Sequence, residues 1–160
     1  MKLLFWTIAI LFLLLSCQQA SNTEIVEGDL YFKAIDFRMY SLPGSILSKI
    51  ENQAKTADID TLCEQEKKFH KHISFLVEKG LFRKPYIRIK NSEGAMMMVF
   101  LDPSDFKEVE KYELPSLRER NKKVRIKVKA TQLDFFDFTA YNSTELISVE
   151  EMDGVTESEK

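Results

Sequence analysis

The chain has 160 residues, with 23 basic against 25 acidic side chains for a formal net charge of −2, and 44% of its residues are hydrophobic. That length suits one domain that buries roughly two thirds of its unfolded surface, and so mild a charge argues against a nucleic-acid partner. With two cysteines and two histidines in the whole chain, thiol, metal and histidine-based chemistry is restricted to very few positions.

Lys2 is followed by an unbroken run of apolar or weakly polar residues from Leu3 to Leu15, ending at Ser16. A basic start, a short apolar stretch and a small residue make a secretory signal pattern. The polar sequence from Ser16 stops the run short of the roughly 20 apolar residues that cross a bilayer. An ordinary signal-peptidase site has small residues at minus one and minus three, whereas Leu14 stands at minus three to Cys17. Leu14, Leu15, Ser16 and Cys17 resemble instead the lipobox of bacterial lipoproteins, a resemblance confined to the start of the chain. It implies that residues 1–16 are a signal peptide. Cys17 then heads the mature chain, with a diacylglyceryl group on sulfur and an acyl group such as palmitate on nitrogen. Each buried methylene adds about 0.8 kcal/mol, so several acyl chains give stable attachment; the protein is anchored to the membrane without spanning it. Gln18 in place of aspartate implies the outer membrane, and no acidic run follows it, so a periplasm-facing position in the envelope is expected. No cofactor beyond the lipid on Cys17 is implied.

Residues 17–27 are polar and read as a lipidated tether. A single α+β domain is expected over 28–152, followed by an acidic flexible tail over 153–160. Order begins near Gly28, where LYFKAIDF suits a strand. Pro43 to Lys55 reads as a helix, with Ile46, Leu47, Ile50 and Ala54 on one side. A second helix lies between Thr61 and Gly80: Thr61 and Glu64 form a capping-box pattern, Gly80 is placed to end it, and Ile59, Leu62, Phe69, Ile73, Leu76 and Val77 make its apolar stripe. The two helices predict an antiparallel hairpin packed on a sheet.

After Lys84 the period changes to two. Tyr86, Arg88 and Lys90 alternate with Ile87 and Ile89; Asn91 to Gly94 is a turn, and Ala95 to Leu101 is apolar on both faces, a hairpin with one buried strand. Phe106 to Tyr112 suits helix and strand equally. From Lys123 to Ala130 the alternation is strict, with Val124, Ile126, Val128 and Ala130 on one face. Phe135 to Tyr141 and Glu145 to Met152 supply two further strands. The fold expected is a helical hairpin on an antiparallel sheet or a small OB-like β-barrel.

Three constellations can carry chemistry. At about 100° per residue, Cys63, Glu66 and His70 fall near one another on the second helix. Thiolate, carboxylate and imidazole there are candidate metal ligands or a nucleophile with its base. The competing reading pairs Glu66 with His70 and makes Cys63 a packing residue. Met96, Met97 and Met98 offer thioethers, but in a strand Met97 points away from the other two, which favours core filling. The basic row Lys123, Arg125, Lys127 and Lys129 is a candidate surface for an anionic glycan, a lipid phosphate or an acidic protein. Its competing reading is a solvated strand whose lysines face Glu145, Glu150 and Glu151 of a neighbour.

There is no Gly-rich phosphate loop, G-x-S-x-G elbow or HExxH, and both histidines sit on one helix. These features weigh against an enzyme. The composition is similar to that of many small lipoproteins of Bacteroidota. The expectation is a non-enzymatic, membrane-anchored envelope lipoprotein that binds a protein or an anionic envelope component; the alternative is a metal- or thiol-dependent envelope enzyme using Cys63, Glu66 and His70.

Overall fold

A computed structural model describes residues 23–31, 41–112, 122–135 and 138–153. The lipobox, Cys17 and the tail beyond Asp153 lie outside the described residues, as does most of the LYFKAIDF segment. In chain order the elements are β1 (Thr23–Leu30), α1 (Gly44–Thr56), a 3-10 turn (Ile59–Thr61), α2 (Glu64–Glu78), β2 (Tyr86–Lys90), β3 (Met96–Phe100), α3 (Pro103–Glu110), β4 (Lys122–Leu133) and β5 (Thr139–Asp153).

The five strands close into a barrel in the order β1-β2-β3-β5-β4, with α3 between β3 and β4, so the OB-like alternative is the architecture found. One pairing departs from the expected antiparallel sheet: β3 and β5 run parallel, with Met97 beside Thr139 and Phe100 beside Asn142. A parallel pair needs a long crossover, and α3 with β4 lies along the chain between these two strands.

β1 begins at Thr23, inside the segment expected to be tether, because Val26 and Leu30 turn inward and join the barrel core. It pairs with β4 from Thr23 to Asp29 and with β2 at Asp29 and Leu30. Gly28 sits where the strand passes from one partner to the other. β4 keeps its alternation, with Val124, Ile126, Val128 and Ala130 inside. β5 is one strand where the sequence suggested two. Register shifts against Lys127/Val128 and Lys129/Ala130 reset which side chains face inward, and a bulge of this kind interrupts the period of two without ending the strand.

The segment around Phe106 resolves as helix. Pro103 occupies its first turn and Phe106 and Val109 plug the barrel beside Leu101. β3 and the start of β5 are covered on both sides: Met97, Val99 and Tyr141 face the barrel interior, while Phe100 and Ala140 face a second core made with Leu47, Ile73, Leu76, Leu81, Phe82 and Phe135. The helical hairpin therefore packs on the outside of the barrel.

α2 starts two residues later than the Thr61/Glu64 pattern suggests. Asp58 caps the 3-10 turn by accepting from Asp60 N–H at 3.2 Å, and the capping box that opens α2 is Cys63 with Glu66. Gly80 ends it with φ +68°, a conformation that glycine adopts freely. Leu81 and Phe82 then both donate to the Leu76 carbonyl, at 2.7 and 3.0 Å. Arg83 reaches back to α1, donating to Ser48 Oγ at 3.1 Å and Glu51 Oε2 at 3.0 Å. That guanidinium first, and Lys55 after it, hold the Glu51 carboxyl below its usual range. Among the described residues, no helix is long and apolar enough to cross a membrane.

Candidate functional site

Cys63, Glu66 and His70 line one groove between α1 and α2, a cavity of about 750 Å³ whose floor includes Ile50, Ala54 and Ile73. They do not meet at one point. Glu66 Oε2 accepts from Cys63 N–H at 2.9 Å. This backbone bond, and after it the Cys63 side chain, hold the Glu66 carboxyl below its usual range. The carboxylate thus serves the start of the helix, and it lies exposed. Cys63 is exposed rather than packed.

His70 turns inward instead. Ser74 Oγ donates to the Ala54 carbonyl at 3.3 Å, which leaves its oxygen to accept from His70 Nδ1 at 3.4 Å. The other ring nitrogen, Nε2, is buried without a hydrogen-bond partner among the described residues. Among the described residues no three His, Cys, Asp or Glu side chains converge to hold a metal ion. A four-ligand site or a thiol–imidazole pair would require these residues to rearrange.

Carboxylates flank part of the basic row on β4, on both sides only at Arg125. In register, Lys127 stands beside Glu27 and Arg125 beside Asp29 on β1, while Lys129 stands beside Glu145 and Arg125 beside Glu150 on β5. Arg125 donates from Nε and Nη2 to Asp29 Oδ1, both at 3.1 Å. Lys127 lies 3.5 Å from Glu27, and Lys122 pairs with Glu151 at the end of the strand. Lys123, opposite Met152, completes the row. Arg125, Lys127 and Lys129 thus each have a carboxylate neighbour that offsets part of their charge, whereas Lys123 has none in register.

A third site was missed in the sequence. On the outer surface of β2 and β3, Arg88 and Lys90 stand beside Met98 and Met96 in register. Tyr31, immediately after β1, and Phe138, in the β4–β5 connection, flank this floor, and together they line a concavity of about 520 Å³. That volume falls in the range of roughly 300–1,000 Å³ typical of small-ligand pockets. Tyr31 is fixed by its N–H, which donates to the Arg88 carbonyl at 2.9 Å. Phe138 is held from behind: its ring centroid lies 4.6 Å from that of Phe135, which makes edge contacts with His72 at 4.4 Å and Phe75 at 4.9 Å on α2.

The methionines divide as strand geometry requires, with Met97 in the barrel core at 8% exposure and Met96 and Met98 on the outer face. The concavity joins positions 31, 88–98 and 138, far apart in the chain, and His72 on α2 carries no mark in the sequence of its role behind Phe138. Only the alternation of Tyr86, Arg88 and Lys90 gave a local signal. Comparison of the chain with protein-family models, with curated proteins and with solved structures finds no match in any of the three.

Proposed function

We propose that this protein is a non-enzymatic, lipid-anchored binding module of the bacterial envelope. The anchor is the lipid on Cys17, and the binding surface is the concavity on the outer face of β2 and β3. The observation that carries the reading is the composition of that concavity: two exposed aromatic rings, at 44% for Tyr31 and 36% for Phe138, stand over thioethers and cations on paired strands. Exposed aromatic and cationic side chains are the anchors that binding surfaces favour.

Leu14–Ser16 ahead of Cys17 supports the anchored half of the reading. With β1 starting at Thr23, only Gln18 to Asn22 separate the lipid from the barrel. At about 3.5 Å per extended residue that connection spans no more than roughly 18 Å, which holds the module close to the membrane surface. Envelope proteins and anionic envelope components are the partners within reach.

Intact mass spectrometry of the mature protein, purified from membranes of a bacterial host, tests the reading. The expected product starts at Cys17, carries added acyl mass and fractionates with the outer membrane, and Cys17→Ser abolishes the added mass. An unmodified or full-length chain in the soluble fraction would overturn it.

A further inference from the structure

We infer that the outer face of β1, β4 and β5 at its Thr23 end rests on the phospholipid bilayer that holds the anchor, with Ile25 and Ile147 inserted among the headgroups. The inference rests on the reading that Cys17 carries lipid, and adds to it the surface that the anchor brings to the membrane.

The argument begins where the chain enters the barrel. Five residues, Gln18 to Asn22, separate the lipidated position from Thr23, so the start of β1 lies within roughly 18 Å of the bilayer. The outward positions of β1 and its partner β4 change character along the strands. Away from the tether they are Glu27 and Asp29 beside Lys127 and Arg125, with ion pairs at 3.5 and 3.1 Å. Next to the tether they are Thr23 and Ile25 beside Thr131 and Lys129. Ile25 is 63% exposed, more than any other large hydrophobic side chain among the described residues. The uncovered isoleucine thus stands at the end nearest the anchor, where a bilayer can cover it, and the paired charges stand at the other.

β5 extends the patch from the far side of β4. Glu145 lies in register with Lys129, and Ser148 with Lys127. Ile147 falls at the register shift beside Lys127 and Val128 and is 43% exposed; a bulge of this kind re-aims a side chain. β1 and β5 each lie about 4.8 Å from β4, so the two isoleucines flank Lys127 and Lys129 roughly 10–12 Å apart. Lys129 has no ion-pair partner within 4.0 Å among the described residues. A lysine between two apolar side chains buries its methylenes in the interface while its ammonium meets lipid phosphates. With Glu145 beside it the patch is close to neutral, which suits headgroups that carry both a phosphate and an ammonium. Two isoleucines are too few to hold a free protein on a bilayer. The acyl chains already supply attachment, and the patch has only to fix which way the barrel faces.

Trp6, the one tryptophan of the chain, precedes Cys17, so a tryptophan placed on the mature protein reports alone. Ile25→Trp, Ile147→Trp and Ile59→Trp, the last on the 3-10 turn at the tip of the hairpin, are each purified lipidated and reconstituted in vesicles of phosphatidylethanolamine and phosphatidylcholine. A fraction of the lipids carries a nitroxide just below the headgroups. The nitroxide is expected to quench Ile25→Trp and Ile147→Trp about fivefold more than Ile59→Trp. Position 147 is far from the tether in the chain, so its quenching reports contact of the face and not nearness to the anchor. Adding Ile25→Asp to the Ile147→Trp protein should bring its quenching down to the Ile59→Trp level with thermal denaturation unchanged. The inference is overturned if Ile147→Trp is quenched no more than Ile59→Trp, or if Ile25→Asp leaves that quenching as it was. Intact mass of the same preparations separates the two readings. A chain with acyl mass on Cys17 and no such quenching loses this face and keeps its anchor, whereas a chain without acyl mass loses both.

Discussion

A methyl group on Gly28 would lie 2.7 Å from the Lys90 carbonyl oxygen and 3.0 Å from its carbon, closer than any backbone tolerates. Closing the barrel brings the β2 backbone close against Gly28, next to the Asp29 and Leu30 pairing, so a strand interior that would otherwise favour a branched side chain requires glycine. Gly28→Ala should destabilise the protein by about 1–3 kcal/mol, the usual effect of overpacking, seen as a lower urea midpoint; an unchanged midpoint would show that the strands separate freely there. The Glu66 carboxylate acts at the same scale. Its folded value is depressed from the ordinary 4.5 by the Cys63 N–H bond and then by the Cys63 side chain. Its stabilisation is therefore present above the unfolded value and lost as pH falls through the folded one. Amide protection factors from Cys63 to Lys67, taken against the intrinsic rate at each pH, should fall as pH drops below about 4.5, and Glu66→Gln should remove that pH dependence, because a side-chain amide oxygen still accepts the bond but does not titrate.

At the scale of elements, the helical hairpin does more than cover the sheet. α2 presents His72 and Phe75 to Phe135, and Phe135 in turn backs Phe138, so a helix outside the barrel positions an aromatic ring at the concavity. Phe135→Ala removes a buried ring at 7% exposure and should lower stability by about 3–5 kcal/mol, measured by urea denaturation. A loss well under 1 kcal/mol would mean that Phe135 is not the joint between hairpin and barrel. The helices themselves were legible from periodicity, since Leu47, Ile73 and Leu76 recur at helical spacing and are buried. The start of α2 was not. Both Thr61 with Glu64 and Cys63 with Glu66 offer a polar side chain three residues before a glutamate, and the 3-10 turn capped by Asp58 decides between them by using Thr61 first.

For the molecule as a whole, β3 and the start of β5 carry barrel core on one face and hairpin core on the other. Neither core can dissolve without exposing the back of the other, so the domain should unfold as one cooperative unit. Far-UV circular dichroism, which follows the helices, and the fluorescence of a variant that keeps Tyr141 as its single tyrosine, which follows the barrel, should give coincident transitions in urea. Separate midpoints would make the hairpin an independent appendage. The same arrangement sets the surface charge. β1, β4 and β5 bring carboxylates beside Arg125, Lys127 and Lys129, so that cross-strand pairs offset part of the charge on that side of the barrel.

What the sequence determined by itself are the properties that depend on neighbours in the chain: the lipobox resemblance at Leu14 to Cys17, the two helical stripes, the strict alternation of Lys123 to Ala130, and an α+β fold with a small barrel among its alternatives. Local spacing carries these because side-chain direction repeats every two residues in a strand and about every 3.6 in a helix. Tertiary structure decided the rest. The parallel pairing of β3 with β5 depends on where α3 and β4 travel between them. The pairing of Arg125 and Lys127 depends on Glu27 and Asp29 arriving from a strand about a hundred residues earlier. Tyr31, Lys90 and Phe138 become one site only when the barrel closes, because the rings and charges of a binding surface are brought together across strands, and spacing along the chain holds no record of that.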